Sequence, residues 1–176
     1  SVPPPTPDPI AATLPPTGRI DIHAHLIPGV DDGCQTIEES LACVRLLKQN
    51  GYVGTICTPH MAWVDDLPEC TPAHVAEWVS QLRRQLKEHG ENYAIWPGGE
   101  LRLFDGVIDW LKQHGVPTLA GSRCVLTDMW ETRWPTYAIP AFRWLLDQGY
   151  QPILAHPERL NCPEELPARL AEVQAM

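Results

Sequence analysis

Apolar residues along this chain alternate between two periods. Short runs at strand period are separated by longer stretches at helical period. Arg19 to Ala24 predicts a strand, and Thr36-Ile37-Glu38-Glu39 a capping box opening a helix to about Gln49, with Glu39 reaching back to the cap. Leu41, Val44 and Leu47 form that helix's apolar face, and Asn50-Gly51 stops it. Tyr52 to Cys57 is the next strand, followed by Thr58-Pro59-His60 and an irregular stretch over 61–70. Thr71-Pro72 starts a long helix whose stripe is Val75, Trp78, Val79, Leu82 and Leu86, closed at Gly90.

The alternation continues to the end of the chain. Tyr93 to Trp96 is a strand running into Pro97-Gly98-Gly99-Glu100, and a helix is predicted from about Asp105 to His114. Arg123 to Asp128 is a strand, Tyr137 to Gln148 a helix, Gln151 to Ala155 a strand, and about Glu164 to Gln174 a last helix. Strands alternating with helices argue an α/β fold with a parallel sheet, either barrel or open, whose sites stand at the C-terminal ends of the strands.

Those strand ends carry the chemistry. His23 and His25 are two apart, so on a strand their imidazoles project from one face. His60 follows the second strand, Glu100 the third and His156 the last. Several imidazoles converging without a metal would repel one another when charged. Imidazole plus carboxylate suits zinc, manganese or iron. A bridging carboxylate, for which Glu100 is the candidate, would hold two ions about 3.5–4 Å apart. Asp31-Asp32-Gly33 is either a turn or a loop that brings a carboxylate to a further ion, and the resemblance described below favours Asp32 for it. Arg159, three residues past His156, is the expected phosphate fork. Arg159 and Asp32 are therefore the candidate catalytic side chains. The other three histidines, His74, His89 and His114, lie near helix ends and read as structural. Trp130 and Trp134 follow a strand, so they should face the site end, as an aromatic wall or as packing.

Bulk properties narrow the partners. A net charge of −9 disfavours nucleic acid. No apolar run is long enough to insert in a membrane and no signal peptide is expected. The six cysteines contain no C-x-x-C pair and read as free thiols, which points to the cytoplasm. Seven of the first 16 residues are proline, so residues 1–18 are expected to be a disordered tail, with residues 19–176 forming one domain.

The motifs DIHAHLIPGVDDG (21–33), TPH (58–60), PGGELRL (97–103) and AHPER (155–159) together resemble the polymerase and histidinol phosphatase (PHP) superfamily. Within it they are similar to the bacterial manganese-dependent protein-tyrosine phosphatases of the capsular-polysaccharide regulatory type. The resemblance implies a distorted (β/α)7 TIM-like barrel with two or three manganese ions, zinc or iron being possible. By motif, His23 and His25 would bind one ion, Glu100 would bridge to a second held by His60 and His156, and Asp32 would serve a third. Arg159 would contact the phosphate. The implied reaction is hydrolysis of phosphotyrosine on a partner tyrosine kinase of exopolysaccharide synthesis. The alternatives are a small-molecule phosphatase of the histidinol-phosphate type and a non-catalytic PHP domain. The family's closing strand ends in Asp-x-His, which this chain lacks, so a C-terminally incomplete domain without its last units is expected. Met61, Ala62 and Trp63 also stand where relatives tend to place more polar residues.

Overall fold

The computed structural model describes residues 18–62 and 69–176. The expected tail (except Gly18) and Trp63 lie outside the described residues.

The elements are β1 (Arg19–Ala24), α1 (Ile37–Gln49), β2 (Tyr52–Cys57), β3 (His60–Met61), α2 (Pro72–Glu88), β4 (Ala94–Pro97), β5 (Glu100–Arg102), α3 (Val107–His114), β6 (Cys124–Asp128), α4 (Ala138–Asp147), β7 (Gln151–Leu154) and α5 (Leu166–Gln174). The predicted strands and helices are present, with ends moved by a residue or two. Thr36 caps α1 through Glu39 N, but Glu39 reaches one residue further back than expected and accepts from Gln35 N at 2.5 Å. Gln35 in turn donates to the carbonyls of Asp31 and Gly33, so the cap is tied to the loop that precedes it.

Two short strands, β3 and β5, were not predicted. Each follows a chain-breaking pair, Thr58-Pro59 or Gly98-Gly99, and resumes pairing after it. All ladders are parallel, in the orders β1-β2-β4 and β3-β5-β6-β7. Gly98 N donates to Cys57 O and Glu100 N to Pro59 O, at 3.0 Å each, so the pairing of β2 with β4 passes into that of β3 with β5. Glycine is required at the break: a Cβ on Gly98 would lie 2.6 Å from Ile56, and one on Gly99 2.5 Å from Met61. The described strands thus form two parallel sheets in a mixed α/β fold, not a closed ring.

Alternate strand residues feed two apolar clusters. Cys57, Ile95 and Val125 join the large one, with Val75, Val79 and Leu82 of α2 and Ala141, Phe142 and Leu145 of α4. Ile56, Trp96 and Leu126 join the smaller one, with Leu119 and Ala155. A parallel sheet needs both faces covered; the inner strands are, whereas β1 and β7 hold no fully buried residue and Ile22 of β1 is 44% exposed. Register pairs Glu100 with His60 on one side and Leu126 on the other, so these three side chains share a face. The α/β pattern therefore positions a carboxylate and an imidazole beside the smaller cluster.

Candidate metal centre

Glu100 is fully buried and four imidazoles surround it. His23 Nε2 lies 3.2 Å and His156 Nε2 3.5 Å from Oε1. His25 Nε2 lies 3.3 Å and His60 Nδ1 3.1 Å from Oε2. Each carboxylate oxygen thus faces two rings. Neither oxygen, nor His60 Nδ1, makes a properly angled hydrogen bond. An anion buried without such bonds is costly, and buried polar atoms are almost always satisfied. A divalent cation among these atoms would satisfy all of them, so the donor set fits a metal of the kind that takes imidazole and carboxylate.

The local chain explains how each ring arrives. His23 lies within β1 and His25 just beyond it, two residues apart. His60 opens β3 and Glu100 opens β5, directly paired. His156 follows β7 in the left-handed conformation (φ 51°, ψ 41°), which a non-glycine residue adopts at a cost of about 1–2 kcal/mol. That turn sends its ring towards Glu100. Its Nδ1 lies 3.2 Å from Glu158 Oε1, leaving Nε2 towards the centre.

Sequence reasoning passed over the role of Asp31. It is buried, its Oδ2 lies 2.7 Å from His25 Nδ1, and it accepts from His60 N at 3.1 Å and Gly33 N at 3.0 Å. A carboxylate behind an imidazole fixes which nitrogen faces a metal. Asp32 points outward, largely exposed, with Oδ1 3.2 Å from His60 Nε2. Gly33 lets the loop lie on His25, since a Cβ there would come within 2.3 Å of that residue. In a loop no periodicity says which of two adjacent aspartates turns inward, so nothing in the sequence separates them.

Among the described residues, two groups have ligand atoms within 4.8 Å of one another: His23 with His25 and Glu100, and His25 with Asp32 and His60. The first gathers the pair expected at one ion. The second joins His60 to His25 and Asp32, whereas the resemblance placed His60 with His156.

Without metal the centre is a network of charges. Burial alone would lower the His25 imidazole, but Asp31 and Glu100 outweigh it and raise its pKa to about 10. Burial pushes the Glu100 carboxyl up, yet His23, His25 and His60 overcome this and hold it far below the usual range. Asp31 shows the same balance, with burial overcome by His25, and is lowered. Asp128, at the end of β6, goes the other way: burial, then the charge of Glu100, raise it.

Asp128 links the centre to its rim. Its Oδ1 accepts from Met129 N at 2.8 Å and its Oδ2 from Trp130 Nε1 at 3.0 Å. Arg159 Nη1 lies 3.6 Å from the same Oδ2, with more than half of its side chain exposed. Arg159 and Trp130 line one cavity of about 670 Å³ with the four imidazoles, Glu100 and Asp32. Trp134 turns the other way, packing against the large core cluster.

The remaining histidines have local partners. His74 completes a capping box with Thr71, His89 Nδ1 lies 2.8 Å from Gln85 O, and His114 stacks on Trp110 at 4.9 Å. All six cysteines are free. No helix among the described residues is long and apolar enough to cross a membrane.

A parallel α/β fold with a buried carboxylate ringed by imidazoles at its strand ends defines a protein with a candidate metal centre. Residues 19–176 match the family described as capsular polysaccharide synthesis, CpsB/CapC, and the chain belongs to that family. It is 31% identical to the tyrosine-protein phosphatase YwqE of Bacillus subtilis, over 86% of this chain and 59% of that protein. It is 28% identical to the putative tyrosine-protein phosphatase CapC of Staphylococcus aureus, over 80% of this chain and 54% of that one. Among solved structures it resembles a chain described under "YwqE from Bacillus subtilis and CpsB from Streptococcus pneumoniae, unique metal-dependent tyrosine phosphatases". That likeness has a TM-score of 0.80 at 30% identity, covering 89% of this chain and 62% of the other. The chain therefore spans about six-tenths of the length of these relatives.

Proposed function

We propose that the protein is a metal-dependent phosphomonoester hydrolase whose substrate is phosphotyrosine on a partner protein, a bacterial tyrosine kinase of capsule or exopolysaccharide synthesis. The observation that carries this reading is the Glu100 carboxylate, buried without hydrogen bonds among four imidazoles. The names of the relatives support the phosphotyrosine class over a small ester such as histidinol phosphate, and over a non-catalytic domain. Manganese is the proposed metal and the cytoplasm the proposed compartment. The two sheets are read as an arc of a distorted (β/α)7 barrel, supported by the hydrogen bonds that carry pairing across Pro59 and Gly98-Gly99.

In this reading His23, His25, His60, Glu100 and His156 hold the ions, with Asp32 completing the set beside His60. Bound metal would supply Lewis acidity and a nucleophile from water near neutral pH. Asp31 and Glu158 orient His25 and His156 from behind. Arg159 offers its exposed fork to the phosphoryl oxygens and offsets charge that develops there. Asp128 holds the near end of that guanidinium towards the cavity.

The test is kinetic and analytical together. Manganese-loaded protein should carry two or three ions by mass spectrometry and release phosphate from a phosphotyrosine peptide faster than from histidinol phosphate. His156→Ala should lose metal and turnover together, and wild-type turnover in that variant would sink the assignment. Full metal loading with no turnover of either ester would leave the non-catalytic alternative standing.

A further inference from the structure

Trp130 is an anomaly in its surroundings. It is one of four large apolar residues among the described ones that remain exposed, and at 42% it is exposed on the wall of the metal cavity. Exposed indoles on loops are ordinarily loose, but this one is held from three sides. Asp128 accepts from its Nε1 at 3.0 Å, the Arg102 guanidinium lies over its ring at 4.7 Å, and the His60 ring meets it edge-on at 5.0 Å. A fixed aromatic surface binds without first losing side-chain freedom, which favours a rigid planar ligand. The same Asp128 oxygen faces Arg159, so one buried carboxylate sets both the cationic fork and the aromatic wall.

We propose that Trp130 is the specificity-determining residue of this site, its indole packing against the aryl ring of an aryl phosphate and so selecting it over alkyl esters. The inference rests on the phosphatase reading and names what that reading leaves open, the group that tells tyrosine from serine. In an aryl phosphate the ring is bonded to the ester oxygen. A phosphoryl group held between the imidazoles and Arg159 therefore brings its ring to the wall beside His60, where Trp130 stands. In a serine ester a methylene occupies that place and offers no π face. Offset or edge-on ring pairs form at centroid separations of 4.5–7 Å, the range in which Trp130 already meets His60.

The experiment uses non-hydrolysable probes, so it does not depend on turnover. Manganese loading is confirmed first, and calorimetry then measures the dissociation constants of phenylphosphonate and n-butylphosphonate. Wild type should prefer the phenyl probe by about fivefold to tenfold, the worth of one good aromatic pair. Trp130→Leu, apolar but not aromatic, should bring the ratio close to one, while Trp130→Phe should keep it within about twofold. A wild-type ratio of one, or an unchanged ratio in Trp130→Leu, overturns the inference alone. Thermal unfolding guards against a collapsed variant, and the wild-type ratio is a test that needs no variant. Failure of manganese to load, or of both phosphonates to bind loaded protein, overturns the phosphatase reading and this inference with it.

Discussion

The seven histidines fall into two populations. Those near helix ends bond or stack with neighbours three or four residues away, as His74 does with Thr71 and Trp78, His89 with Gln85 and His114 with Trp110, although His114 Nε2 also lies 3.7 Å from Glu69 Oε1. Those at strand ends meet across the fold, with His23 and Glu100 separated by 77 positions of sequence yet 3.2 Å apart. The helix-end rings contribute to local geometry the chain would form anyway. The strand-end rings are brought together only by the sheet, and the atoms they surround lack hydrogen bonds. One residue type thus serves as a local cap or stacking partner in one place and as a potential ligand in the other, according to whether it stands at a helix end or where the sheet gathers several rings around Glu100.

The sharpest way to break that contrast is Glu100→Gln, which keeps the shape and removes the charge that all four rings face. Metal affinity measured by calorimetry should fall by more than the about 10–100-fold that an outer partner contributes. Wild-type metal content in this variant would end the view of Glu100 as the central ligand. Asp31→Asn comes next. It leaves every proposed ligand in place but loosens His25, and should weaken metal binding by about 10–100-fold.

A third expectation concerns pH. His25 has an ordinary value of 6.5, raised in the metal-free fold to about 10. A raised imidazole stabilises fully below its unfolded value, and that contribution is lost as pH rises through the folded one. Glu100 has an ordinary value of 4.5 and is held lower, so its contribution is present above that value and is lost as pH falls. Thermal unfolding of chelator-treated protein should therefore give its highest midpoint between about pH 4.5 and 6.5 and decline towards pH 10. Manganese should flatten the alkaline decline, because the ion replaces the proton on the ring. An equal decline with and without metal would contradict this. The smallest effect belongs to the other population: His89→Ala should leave metal affinity unchanged and lower stability by about 0.3–1 kcal/mol in a denaturant titration.

Much of this contrast was legible before any coordinates. Strand alternation announced His23 and His25, and placement near helix ends marked His74, His89 and His114 as structural. Two things were hidden. The strands that carry His60 and Glu100 are two and three residues long and follow Pro59 and Gly98-Gly99, residues that ordinarily signal a loop. Their pairing is set by neighbouring strands, which no local pattern records. The inward turn of Asp31 depends on a close approach of Gly33 to His25, a matter of three-dimensional fit.

The left-handed backbone at His156 sets loop stability against side-chain identity. It precedes a proline, which further narrows the conformations open to it, and glycine would occupy that region without the penalty a Cβ brings. At position 156 a sturdier loop and an imidazole therefore pull against each other: His156→Gly would relax the backbone and remove the ring that faces Glu100. The histidine in that turn sets a backbone cost of about 1–2 kcal/mol against the ring it brings to within 3.5 Å of Glu100.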